Sequence, residues 1–141
     1  MAALDTDFTR RCIRTLDQAL LTLSKADLEP VTHDIYRAAC IKEFEIVSEQ
    51  CAKLLKKSLV AFFASARAVD ALTYKDVFRH AAKHGLIELD AAERWLVYRD
   101  HRKQSAHEYG QNFADAVLLQ LPQFLVDATA LLQAVEAAPK E

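Results

Sequence analysis

An all-α fold, an antiparallel bundle of about five helices, is what this sequence predicts, and three observations carry it. Glycine occurs only twice in 141 residues, too few for the turns of a many-stranded β fold. The apolar content is mostly Ala and Leu, both strong helix formers. Apolar residues also recur at steps of three and four, the spacing that lines one face of a helix. The chain is long enough for a single helical domain with a real core, placed at about residues 7–136 of 1–141.

The first helix is announced by Asp5, Thr6 and Asp7, three N-cap residue types in a row. Ile13, Leu16, Leu20 and Leu23 then form one apolar stripe. Pro30 punctuates the connection that follows. A second, longer helix is expected from about Thr32 into the Lys56–Lys57 region, with Ile41, Phe44, Cys51, Leu54 and Leu55 on its buried side. On another side of it Glu45, Glu49 and Lys53 succeed one another at i, i+4 and i+8, and the Glu49–Lys53 order is the favourable one along a helix. That trio reads as a solvated or subunit-facing stripe. The apolar run Ser58–Ala66 declares neither helix nor strand by its period, and the second helix is extended through it.

Thr73 with Asp76 makes a capped start and Gly85 a C′ stop, so a short helix is expected over 74–84. Asp90 with Glu93 repeats the capping pattern ahead of a helix carrying Trp95 and Tyr98, two rings expected in the core or a dimer seam. Gly110 and Asn112 end that helix and open the last one. There Phe113, Val117, Leu121, Phe124, Ala128, Leu131 and Val135 form a sustained stripe, within which Pro122 is expected to kink or restart the helix.

The formal net charge of −2 excludes a bulk polyanion binder, so any contact with nucleic acid has to be local. Cys12, Cys40 and Cys51 are odd in number and lack the spacing of a metal site. Buried thiols in a reducing compartment are expected, with neither disulfide, metal nor cofactor. The N-terminus has no apolar core of a signal peptide, and the longest apolar run, Leu59–Ala64, is too short to cross a bilayer. These features point to a cytoplasmic protein that does not enter a membrane.

One segment stands out. Arg102, Lys103, His107 and Tyr109 place two cations, an imidazole and a phenol within eight residues near a predicted helix end. Arg can hold a phosphate and His can move a proton near neutral pH. Spacing alone does not single the segment out, because Arg79–His84 repeats it and Arg94–His101 comes close. His84, beside Gly85, reads as a cation at a helix C-terminus. Arg94 and His101 read as mid-helix residues with no further partner. Five residues apart on an ideal helix, side chains point about 140° away from each other. Arg102 and His107 therefore converge only if the helix frays near Ser105 or if two subunits meet. The bland alternative is a solvated basic helix face.

Three segments in order, this one among them, bear a family likeness. The helix Ile41–Leu55, with Phe44-Glu45, Glu49 and Lys53-Leu54-Leu55, resembles a characteristic helix of the HEPN superfamily. Within that superfamily the likeness is to the nucleotidyltransferase substrate-binding proteins, related to HepT-type toxins. Val77–Ile87, ending Gly85-Leu86-Ile87, is similar to that group's short helix. Arg94-Trp95-Leu96 followed by Arg102-x4-His107-x-Tyr109 resembles its signature segment, and Leu121-Pro122 also matches. The likeness covers roughly residues 10–135. The chain departs from the pattern at Lys103, where the group commonly has Asn. Lys keeps a charge for a phosphate but lacks the amide's acceptor.

The resemblance implies a homodimeric helical protein paired with a small nucleotidyltransferase in a toxin–antitoxin-like module. It also implies that Tyr109 is an acceptor for a nucleotidyl group, with Arg102, His107 and Lys103 positioning phosphate. The alternative it implies is a metal-independent ribonuclease in a dimer cleft, with Arg102 and His107 catalytic and RNA as substrate. Glu45, Glu49 and Arg99 are added as residues lining the same cleft. A third reading is a structural helical dimer with no chemistry, in which Arg102 and His107 make surface salt bridges.

Overall fold

In the computed structural model of the chain the described residues are 5–25, 27–105 and 111–138, with side chains described throughout except at 102–105 and 111–113. Among them the regular structure is all helical: α1 (Asp7–Leu23), α2 (Pro30–Leu59), α3 (Ala66–Asp70), α4 (Tyr74–Lys83), α5 (Leu89–Ser105) and α6 (Gln111–Ala137). The five expected helices are present, and the five-residue α3 is the addition.

Each helix end has a local cause. Pro30 is the first residue of α2, where its fixed φ suits the helix and its missing N–H goes unused. The helix therefore begins two residues before the expected Thr32. Thr73 Oγ1 accepts from the Asp76 N–H at 3.2 Å and opens α4. Gly85, at φ 78°, closes it. Its N–H donates to the Ala82 carbonyl (3.1 Å) and the Leu86 N–H to the Ala81 carbonyl (2.9 Å), the paired bonds of a Schellman stop. α5 begins at Leu89, one residue before Asp90, so Asp90 is not its cap. The Ala92 N–H already bonds the Glu88 carbonyl (3.0 Å), and Asp90 supplies negative charge to the first turn instead.

At α1 the expected caps divide their work. Asp5 Oδ1 accepts from the Asp7 N–H (3.0 Å). Thr6 stands at the N-cap position but makes no side-chain cap bond; its hydroxyl donates to Glu136 Oε2 on α6 (2.9 Å). Arg10 pairs with the same carboxylate. The first turn of α1 is thus tied to the last turns of α6, and these two helices run antiparallel.

The extension of α2 through Ser58–Ala66 does not occur. α2 ends at Leu59, a 3₁₀ turn covers Val60–Phe62, and Ser65 restarts the chain by accepting from the Ala68 N–H (3.2 Å). Phe62 and Phe63 supply the reason. Phe62 stacks on His84 (centroids 4.4 Å) and Phe63 meets His80 edge-on (5.0 Å). Neighbouring side chains on an α-helix point about 100° apart, so two consecutive rings reach one face of α4 only if the helix stops. His84, expected only to complement a helix end, is in fact one of these ring contacts.

The core is built on an aromatic cluster that joins α2, α4, α5 and α6. Trp95 stacks on Phe78 (5.3 Å) and meets Tyr98 (5.3 Å) and Phe124 (5.5 Å), while Phe124 also touches Phe44 (4.9 Å). All five rings are buried. The stripes on α1, α2 and α6 face this cluster as expected, with Leu20 and Ile41 at its margin. Phe113 lies outside the described side chains. α6 continues through Pro122 without restarting, and Pro122 itself faces outward. Residues 114–137 are long and apolar enough to span a membrane, but one side of that helix is the bundle's own core.

Phe124→Ala should lower unfolding free energy by about 3–5 kcal/mol, because it removes the ring that meets Phe44, Trp95 and Tyr98. Urea denaturation measures this, and a loss below about 1 kcal/mol would contradict the packing described.

Candidate functional site

The candidate motif depends on α5, so what holds α5 comes first. Asp127 sits on α6 three residues after Phe124 and four before Leu131, in the middle of the buried stripe, and its side chain is only 3% exposed. A carboxylate there is costly unless it is paired. α5 supplies the partners. Arg94 donates from Nε to Asp127 Oδ2 and from Nη2 to Oδ1, both at 2.8 Å. The Tyr98 hydroxyl donates to Oδ2 at 2.5 Å. Gln123, one turn earlier on α6, donates to Oδ1 at 3.2 Å. The fork of two parallel bonds from Arg94 is the geometry that a guanidinium makes best with a carboxylate.

The electrostatics follow from the same contacts. Burial by itself would push the Asp127 carboxyl up, but the bonds from Arg94, Tyr98 and Gln123 together outweigh it and hold the group below the ordinary carboxylate value. Burial pushes the Tyr98 phenol well up, and its bond to Asp127 adds to that. Tyr98 is therefore a fixed donor, not a nucleophile.

Two turns further along α5, His101 Nδ1 is hydrogen-bonded to the Gln120 amide. Arg94 against Asp127 and His101 against Gln120 set α5 antiparallel to α6. On another side of α5, the Arg99 guanidinium lies over the Tyr74 ring of α4 (4.9 Å), and the Tyr74 hydroxyl donates to the Trp95 carbonyl (3.3 Å). The helix is thus gripped from both neighbours immediately before Arg102.

The sequence-derived candidates divide accordingly. Arg102 and Lys103 belong to the last turn of α5 by backbone, and their side chains lie outside the described residues. His107 and Tyr109 lie outside the described residues altogether. Arg99 is half-buried and engaged with Tyr74. Glu45 is half-buried on α2, and Glu49 is exposed there with Lys53 Nζ at 3.0 Å, the expected i, i+4 pair. Both acids sit on α2.

Two expectations need correction. Arg94 and His101 are not mid-helix residues without partners: each reaches across to α6. Asp127 went unrecognised in the sequence although a signal for it exists. A lone acid at the three-and-four step of an otherwise apolar stripe calls for a cation from a neighbouring helix, and Arg94 is that cation.

The cysteines behave as buried thiols. Cys12, Cys40 and Cys51 are free, and burial pushes Cys40 up to about 11 and Cys51 up to about 12. Such thiols stay protonated and unreactive at neutral pH. Among the described residues no group of three His, Cys, Asp or Glu side chains is placed to hold a metal ion.

Comparison with known proteins places the chain closely. Residues 8–137 match the family described as nucleotidyltransferase substrate binding protein like. A curated relative from Haemophilus influenzae, named Probable ribonuclease HepT, is 32% identical over 123 residues, covering 84% of this chain and 83% of its own. A solved Haemophilus influenzae structure, described as revealing the fold of a substrate binding domain of a nucleotidyltransferase, superposes with TM-score 0.84 at 27% identity. It covers 93% of this chain and 98% of its own. A Thermus thermophilus protein shares the fold with TM-score 0.71 at 24% identity, covering 90% of this chain and 98% of its own.

Replacing Arg94 by Met strands the buried Asp127 carboxylate and should cost about 3 kcal/mol. Asp127→Asn should cost less, because the half-exposed Arg94 can turn to water. Acid titration gives the sign. The folded Asp127 has a lowered pKa, so its stabilisation is complete above the unfolded value of ~3.9 and is lost as pH falls toward the folded one. Urea denaturation between pH 3 and 7 should show a shallower acid loss in Arg94→Met than in the parent; equal slopes would refute the assignment.

Proposed function

Because the chain belongs to the family of nucleotidyltransferase substrate binding protein-like chains, we propose that it is the substrate-binding partner subunit of a small nucleotidyltransferase. It acts as a cytoplasmic homodimer within a toxin–antitoxin-like module. The observation that carries this reading is the family match over residues 8–137. It is supported by the grip of α4 and α6 on α5 just ahead of Arg102, which gives a partner protein a rigid base against which to present the segment 102–109.

Tyr109 is the acceptor in this reading. Its deprotonated phenol oxygen attacks the α-phosphorus of a nucleoside triphosphate brought by the partner. The new oxygen–phosphorus bond forms as the bond to pyrophosphate breaks, and the phenolic proton passes to a base such as His107. Arg102 and Lys103 offset the charge on the phosphate oxygens. Once attached, the nucleotidyl phosphate stays beside these cations and neutralises them, which is a means of switching the segment off.

A second reading is favoured by the relative named Probable ribonuclease HepT. Here the same segment cleaves RNA without a metal, in a cleft shared by two subunits. His107 takes the proton of the ribose 2′-hydroxyl, and Arg102 stabilises charge on the phosphoryl group. The need for a 2′-hydroxyl restricts cleavage to RNA.

Two experiments separate the readings. With the cognate nucleotidyltransferase, nucleoside triphosphate and Mg²⁺, intact-protein mass should rise by one or more nucleotidyl units, and Tyr109→Phe should abolish the increase; an increase that persists in Tyr109→Phe rules the acceptor out. For the second reading, cleavage of RNA but not DNA should continue in chelator and fall at least 100-fold in His107→Ala. Cleavage that survives that substitution rejects His107 as the catalytic group.

A further inference from the structure

We infer that Arg99, lying over Tyr74, is a stacking platform for a nucleobase, and that Lys75 and Arg79 beside it hold the phosphate the base carries. The inference rests on the reading that the segment 102–109 acts on a nucleotide, and it adds to that reading a place for the base. A run of planar side chains leads from the core to this spot. Trp95 stacks on Phe78 (5.3 Å, planes 23° apart) and Phe78 meets Tyr74 (4.7 Å, 37°). The Arg99 guanidinium then lies over the Tyr74 ring (4.9 Å). Trp95 and Phe78 are buried, whereas Tyr74 and Arg99 are half-buried. The Tyr74 hydroxyl, donating to the Trp95 carbonyl, fixes the ring that carries Arg99. The run therefore ends near the surface on a planar cation.

No acid satisfies that cation. The positions three and four residues to either side of Arg99 along α5 are Trp95, Leu96, Arg102 and Lys103, so its helix neighbours include no carboxylate. Among the described residues no carboxylate pairs with Arg99, Lys75 or Arg79, whereas Arg10, Arg37 and Arg94 each hold one. Lys75 adjoins Tyr74 in the chain, and Lys75 and Arg79 are both exposed. One turn of α4, ~6 Å of rise, separates these two cations. Asp76, the one acid of α4, pairs with neither.

This set of groups selects its ligand. A guanidinium is planar and weakly hydrated, so the face turned away from Tyr74 favours another flat π system. A carboxylate would take its edge instead, through the fork of N–H groups. Arginine planes and aromatic rings are the surfaces on which proteins stack unpaired bases. The two unpaired cations alongside answer the phosphate that a nucleotide brings with its base. A net charge of −2 leaves only local contact with a nucleic acid, and this patch is local. Arg99 also precedes position 102 by about one turn of α5, so a base held here keeps its nucleotide next to the segment 102–109.

Two titrations of the full chain test the platform and name its ligand's source. One compares adenosine triphosphate with inorganic tripolyphosphate; the other compares a short single-stranded RNA with the same strand made abasic throughout. The parent should prefer the base-bearing ligand about ten-fold in at least one of them, as stacking on one side chain predicts. The titration that shows the preference identifies a free nucleotide or an RNA strand as the source. Arg99→Lys keeps the charge and loses the plane. It should erase the preference while leaving the thermal melt and the affinity for the base-free ligand unchanged. Lys75→Ala with Arg79→Ala should instead weaken both members of a pair alike and flatten the salt dependence; affinities that it leaves unchanged overturn the phosphate assignment. A preference that survives Arg99→Lys, or none in either titration, overturns the platform and leaves nucleotidyl transfer and RNA cleavage to their own tests. A parent that neither accepts a nucleotidyl group nor cleaves RNA overturns the functional reading, whatever the platform binds.

Discussion

The buried carboxylate of Asp127 is the constraint on which the placement of the functional segment depends. An ionised acid in the middle of a helix bundle is tolerated only when its oxygens are fully engaged. Here every donor but one comes from α5: the two-pronged guanidinium of Arg94 and the hydroxyl of Tyr98. Sliding α5 along α6 by one residue would lose all three bonds at once. Apolar packing alone would tolerate such a slip better, since Trp95 and Phe124 present broad surfaces. The ion pair therefore sets register, and the aromatic cluster around it supplies most of the burial.

That division of labour bears on function. In the proposed module the residues that touch a nucleotide are Arg102, Lys103, His107 and Tyr109, and the fold's contribution is to hold the helix that leads into them. Three contacts do so in succession along α5: Arg94 with Asp127, Arg99 with Tyr74, and His101 with Gln120. They grip two different neighbours, so α5 can neither rotate nor lift away without breaking polar bonds on both sides. A partner enzyme that must bring a triphosphate to one phenol gains from such a rigid base, because an acceptor held in place needs less ordering in the transition state. The departure at position 103 from Asn to Lys suits the acceptor reading, which uses a charge there, better than the ribonuclease one, which loses the amide's acceptor.

Much of this was legible in the sequence. Apolar periodicity located α1, α2 and α6, a capping pattern pointed to α5, and Thr73 and Gly85 marked the ends of α4 to within a residue. The order of the Phe44-Glu45, Gly85-Leu86-Ile87 and Arg102–Tyr109 segments pointed to the family to which the chain belongs. These succeed because helix stripes, caps and stops are decided within a few residues of backbone. The boundary that failed, Ser58–Ala66, failed for a complementary reason. Nothing local ends α2 there; the helix stops because Phe62 and Phe63 must both reach His84 and His80 on α4, some twenty residues away in the chain.

The sequence by itself thus determined the helical class, the core faces, the family and the segment where chemistry is sought. Only the tertiary structure decided who meets whom across helices. Arg94 and His101 looked unpartnered because their partners, Asp127 and Gln120, lie on another helix. Thr6 looked like a cap, yet its hydroxyl serves Glu136 at the far end of the chain. The distinction is physical: periodicity is written along a helix, whereas the partner of a buried charge is fixed only when two helices choose their register, and that choice is made by the pair together.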